Sequence, residues 1–252
     1  MFAAAPLFAQ TADSTPSGVG SLKVAAVPIF FSSPDTRIAI GILPHVLFRT
    51  AEETRRSTVK LDAYATQNHQ LNLRLGTTIW LPRNTHGIDA RLQFQNWPSS
   101  FYGMTNSRSE MRKERYTEKV ALLSTEVQRQ YRPGLYIGLR YDFRYGNITS
   151  VEPTGLLAEG SVAGSGGVIS SGIGAFVNID TRDFTVYPTR GVHVRLISRQ
   201  FIDVNEGAYW FARYRLDAKG YVPLGGRHVL AGQVVLAMAG GDPPFQMMTG
   251  VG

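Results

Sequence analysis

From about Lys23 onward, apolar and polar residues alternate one by one, in runs of about 10–14 residues. That rhythm leaves few folds open, because strand side chains project to opposite faces with period two. Over 59–65, Val59, Leu61, Ala63 and Ala65 share one face, while Lys60, Asp62 and Tyr64 share the other. In 71–81, Leu71, Leu73, Leu75, Ile79 and Leu81 stand opposite Asn72, Arg74 and Trp80. Along 88–95, Ile88, Ala90, Leu92 and Phe94 oppose Asp89, Arg91, Gln93 and Gln95. Residues 135–145 set Leu135, Ile137, Leu139, Tyr141, Phe143 and Tyr145 against Arg140, Asp142 and Arg144.

The charged face discriminates between architectures. Soluble sandwiches use strands of about 5–6 residues, whereas a tilted strand needs about 9–11 to cross a bilayer. Hydrocarbon tolerates no open backbone groups, so spanning strands must close into a barrel. Lys60, Asp62, Arg74, Asp89, Arg91, Arg140, Asp142 and Arg144 are then candidates to line a wet lumen. A lipocalin-like barrel would be apolar inside instead. Alternation alone does not say which face points in. Strand length and aromatic placement bear on that choice.

Eleven strands are expected, at roughly 23–31, 36–48, 57–66, 70–81, 87–96, 116–131, 134–146, 170–180, 190–202, 208–221 and 227–239. Long connections follow odd strands, notably 97–115 and 147–169. Compact ones follow even strands, such as Arg132-Pro133 and Pro223-Leu224-Gly225-Gly226. Long loops at one end and short turns at the other suit a membrane barrel, with the long loops outside. Segment 116–131 is ambiguous, since apolar residues fall in both phases (Val120, Leu122; Ala121, Leu123, Val127). A bulge would explain that, and a helix is the other reading. Trp80, Trp97, Trp210, Phe184, Tyr187 and Tyr221 sit near strand ends. They fit interfacial girdles or the rim of an ordinary core.

Composition narrows the classes further. Mean hydropathy is −0.10, and no apolar run approaches the ~18–20 residues of a membrane helix. Lysine and arginine number 26 against 19 acids, a net charge of +7, but they are spread along strands and loops. A nucleic-acid partner would need them gathered in one patch, so none is expected. Cysteine is absent, which removes disulfides and thiolate chemistry. Residues 1–9 read as a signal-peptide remnant ending in small Ala9, or else a short disordered tail, and 10–22 as a flexible segment.

The densest motif is GAFVNIDTRDFTVYPTRG at 174–191. Here Asp180, Thr181, Arg182 and Asp183 end one strand, Tyr187-Pro188 fixes the chain, and Gly191 permits a tight start to the next. Asp180, Arg182 and Asp183 are placed to bridge neighbouring strands. Trp97-Pro98-Ser99-Ser100-Phe101-Tyr102-Gly103-Met104-Thr105-Asn106 follows an earlier strand, and Pro28–Thr36 forms a first hairpin. In order and spacing these three segments resemble the BamA/TamA-type outer-membrane proteins, or bacterial surface antigens. Phe101, Tyr102, Gly103 and Asn106 match that family's FYG-x-x-N element, with Thr105 where a glycine is usual. Asp180, Thr181, Arg182, Asp183, Tyr187, Pro188 and Gly191 match its strand-turn-strand signature.

The resemblance implies an all-β, transmembrane antiparallel β-barrel of about sixteen strands, about eleven of them present in 23–252 and truncated at the C-terminus. It implies a Gram-negative bacterial outer membrane, with lipid and client polypeptides as partners. It implies insertion of other barrel proteins or translocation of polypeptides. The sequence departs from the family in two ways. No POTRA domain is expected before the first strand, and the Arg-Gly-Phe/Tyr motif of a later loop is not reached before Gly252. An eleven-stranded sheet alone would leave open edges in lipid. A passive pore or surface antigen is the alternative function, and a barrel served by a delivery domain on a separate chain is another.

Enzymatic readings are weak, and no catalytic, cofactor or metal residue is expected. His45, His69, His86, His193 and His228 lie in separate segments without metal-ligand spacing. No G-x-S-x-G elbow occurs. The stretch Gly160–Gly167 lacks the Lys-Ser/Thr of a phosphate loop and reads as a mobile outer loop.

Overall fold

The computed structural model describes residues 22–33, 36–103, 113–185, 187–205 and 209–248. Eleven strands follow in chain order: β1 (Lys23–Ser33), β2 (Arg37–Phe48), β3 (Ser57–Thr66), β4 (Leu71–Trp80), β5 (His86–Phe101), β6 (Glu114–Arg132), β7 (Leu135–Val151), β8 (Val168–Asp180), β9 (Gly191–Asp203), β10 (Trp210–Gly225) and β11 (His228–Gly241). All neighbours are antiparallel and the sheet order is the chain order, so the topology is a meander with β1 and β11 at its edges.

The sheet curls. Arg195 of β9 reaches Glu126 of β6 at 2.6 Å, over two intervening strands. Trp80 of β4 meets Tyr136 of β7 edge-on at 5.7 Å. Contacts between non-neighbouring strands require a concave inner wall. The outer wall is apolar and open, with Leu139 63% and Ile173 63% exposed. Such a surface is stable against hydrocarbon rather than water. The chain is therefore an all-β, membrane-barrel type of sheet with its charges inside.

Several strands run further than the alternation shows. β5 continues through Trp97-Pro98 to Phe101, β7 continues to Val151, and β10 reaches Gly225, leaving Gly226-Arg227 as the turn. β6 is a strand, not a helix. Its register shifts fall at Thr117/Glu118 and Gln130/Arg132, at its ends, so no bulge separates its two apolar phases. Trp80 and Trp97 depart from the girdle reading. Trp80 is 9% exposed and turned inward, and Trp97 meets Tyr64 edge-on at 6.0 Å on the inner wall. Trp210 does face outward, 59% exposed. The β2–β3 ladder pairs Ala39–Ile42 and resumes at His45, skipping Leu43 and Pro44. Proline has no N–H to give to that ladder.

Candidate functional site

The inner wall is made by long side chains lying over short ones. Gly138, Gly146, Gly172 and Gly174 share the inward phase of β7 and β8. A Cβ at Gly138 would enter the Phe176 ring, one at Gly172 the Phe201 ring, and one at Gly146 the Glu118 carboxylate. At Gly174 it would lie 2.7 Å from Arg199 Cγ. The missing side chains give aromatic rings and guanidinium groups a floor to lie on.

An ion-pair network spans this floor. Arg140 donates through Nε to Asp142 Oδ2 at 2.7 Å and through Nη2 to Oδ1 at 2.6 Å. Its Nη1 donates to Glu126 Oε1 at 2.5 Å, and Arg195 Nη2 donates to Glu126 Oε2 at 2.6 Å. Arg199 Nη1 lies 3.9 Å from Asp142 Oδ2. Arg144 Nη2 contacts both Glu118 oxygens, at 2.7 and 2.8 Å. Bidentate geometry makes such pairs directional as well as attractive. Arg195 also lies 4.2 Å over the Phe176 ring, a cation–π contact.

The structure brings together Arg140, Asp142, Asp89, Arg91 and Lys60 from the sequence set. Lys60, Asp89, Arg91 and Arg140 line a polar cavity of about 460 Å³ with Glu126 and Arg195. Asp89 stands directly across from Glu126 and accepts the Thr78 hydroxyl at 2.6 Å. Arg74 and Asp62 form a separate pair at 3.6 Å on β3 and β4. Arg144 pairs with Glu118 nearer the long-loop end. Sequence reading did not single out Glu118, Glu126, Arg195, Arg199 or Arg213. Their shared parity within β6, β9 and β10 was the available signal, and the doubtful phase of 116–131 hid the two glutamates.

The 174–191 motif forms the β8–β9 connection. Arg182 donates Nε and Nη2 to Asp180, both at 2.8 Å. Thr181 N donates to Val192 O at 2.9 Å, and Thr181 Oγ1 accepts from Val192 N at 3.0 Å. Asp183 accepts the Thr189 hydroxyl, Thr189 N at 2.9 Å and Phe184 N at 3.0 Å. The hydroxyl bond first, and then the backbone donors, hold its carboxyl well below the usual range. Hydrogen bonding to Asp180 raises Arg182 above its ordinary value. These contacts brace the turn, and Arg182 also reaches Tyr221 of β10. Tyr187 stacks on Phe184 at 5.0 Å, Pro188 is half-buried, and Gly191 takes φ +100°.

At the other end, two segments fold over the mouth. Phe101 packs with Leu157 and Val162, joined by Tyr116, Val151 and Phe245. Met247 is buried with Val168, Phe201 and Phe211. Gln246 Nε2 donates to Gly164 O at 2.7 Å, and Phe245 N donates to Ala163 O at 3.1 Å. The glycine-rich stretch expected as a mobile loop is thus packed against residues 245–247. Tyr102 is exposed and Gly103 has φ +82°. Asn106 lies outside the described residues.

Residues 46–246 match the Omp85 superfamily domain. The chain belongs to the Omp85 superfamily. Its fold is similar to the crystal structure of BamA from Haemophilus ducreyi lacking POTRA domains 1–3, with a TM-score of 0.56 at 13% identity. That match covers 94% of this chain and 44% of the BamA chain, so the chain spans less than half the length of that structure. No curated protein sequence matches it.

Proposed function

We propose that this chain is a barrel portion that lowers the barrier for inserting outer-membrane β-proteins, or for passing polypeptides across that membrane, without covalent catalysis. The observation that carries the reading is the Omp85 match over 46–246, on a sheet with an apolar outer wall. Strand pairing at a sheet edge gives a client backbone its hydrogen bonds, and a polar, ion-paired inner wall keeps the lumen hydrated. In this reading the turn residues and the inner-wall charges serve structure rather than chemistry.

The test is client insertion into liposomes containing the full-length protein. Faster appearance of protease-resistant, folded client than in empty liposomes supports the proposal. An unchanged rate together with steady ion conductance would favour the passive-pore reading.

A further inference from the structure

The two ends of the sheet differ in charge. At the short-turn end, Arg56, Arg83, Arg129, Arg132, Arg190 and Arg227 are exposed. Among the described residues none of them has a carboxylate at ion-pair distance. Glu52 and Glu53 are the exposed acids there, while Asp183 is engaged by Thr189 and Arg190. At the long-loop end, exposed Arg37, Lys113, Arg115 and Lys119 are offset by Glu152, Glu159 and Asp242 among the described residues.

Where these arginines sit identifies their partner. Arg129 shares the outward phase of β6 with Leu123, Val127 and Tyr131, and its guanidinium lies 6.0 Å from the Tyr131 ring. Along the chain, exposed Leu81 lies just before Arg83, the exposed Phe184–Tyr187 stack just before Arg190, and exposed Leu224 just before Arg227. An arginine beside outward apolar groups rests its stem on hydrocarbon and puts its guanidinium at headgroup depth. There it can grip phosphate bidentately, which a carboxylate-poor rim leaves it free to do. A protein docked at the mouth would instead meet Arg55, which is turned inward 4.7 Å over Trp80.

We propose that this arginine rim binds the phosphates of anionic glycerophospholipids in the leaflet on the short-turn side. The inference rests on the outer-membrane barrel reading and adds a lipid class and its contact residues. Full protein folded in detergent micelles with equal phosphatidylglycerol and phosphatidylcholine is repurified, and its retained lipids are quantified. Phosphatidylglycerol is expected to exceed phosphatidylcholine about tenfold at low salt, falling toward parity at about 0.5 M salt. Glutamine at all six positions abolishes the preference, and Arg129→Gln with Arg132→Gln weakens it. Arg37→Gln, Arg115→Gln and Lys119→Gln together preserve it.

Equal retention by the unaltered protein, or an unchanged preference in the six-residue variant, overturns the proposal. A rim that ignores both lipids but binds polyglutamate overturns it in favour of an acidic protein partner. Heat-modifiable migration in detergent gels reports the barrel independently. Its loss removes the barrel reading along with this proposal, whereas its presence without lipid preference removes the proposal alone.

Discussion

Gly191 and Gly76 show how unevenly single residues matter in this wall. Gly191 has φ +100°, and a Cβ there would run into the Thr181 carbonyl. A Cβ at Gly76 would meet nothing within 4 Å, because the residue faces the open cavity. Gly191→Ala should cost about 1–3 kcal/mol, while Gly76→Ala should stay within about 0.5 kcal/mol; urea unfolding followed by tryptophan fluorescence measures both. Asp183 supplies a pH signature. Its folded carboxyl is depressed, so its contribution is complete above the unfolded value of about 4 and fades as pH falls below it. Thermal stability should therefore fall on acidification below about pH 4, with Asp183→Asn removing this part of the slope; an unchanged slope would contradict the Asp183–Thr189 account. The turn itself was legible in the order of Asp180, Arg182, Pro188 and Gly191. That Asp183 holds Thr189 was not, because side-chain partners six residues apart have no periodic signature.

At the scale of elements, the two faces of β7 were legible and those of β6 were not, for a physical reason. β7 separates lipid from lumen along its length, so Leu139 and Arg140 fall on opposite faces. On β6, Leu122 points inward to a cavity also lined by Gln246 and Met247. There the inner wall meets chain rather than water, and an apolar inward residue is stable. Period-two reading assumes one wet face, which fails where a segment folds into the barrel. The ion pairs between β6, β7 and β9 make a separate prediction. Arg140→Ala should cost about 2–4 kcal/mol, because it leaves Glu126 and Asp142 without their shared cation. A double-mutant cycle of Arg140→Ala with Glu126→Gln should give a coupling of about 1–3 kcal/mol. Additive effects would show that the pair is incidental to stability.

For the molecule as a whole, the sequence carried the strand number, the meander and the unequal loops, because each follows from local alternation and turn chemistry. It carried less of the site, since Glu126 and Arg195 lie 69 residues apart and meet only once the sheet curls. The fold turns on the assignment of faces: apolar side chains to lipid, charges to the lumen. The absence of cysteine makes it directly measurable. Single cysteines at successive positions from Leu139 to Tyr145 would each be probed in vesicles with a water-soluble thiol reagent and a lipid-borne quencher. Strict alternation is expected, with positions 139, 141, 143 and 145 quenched from the lipid and 140, 142 and 144 labelled from water. An inverted pattern, or none, would contradict it.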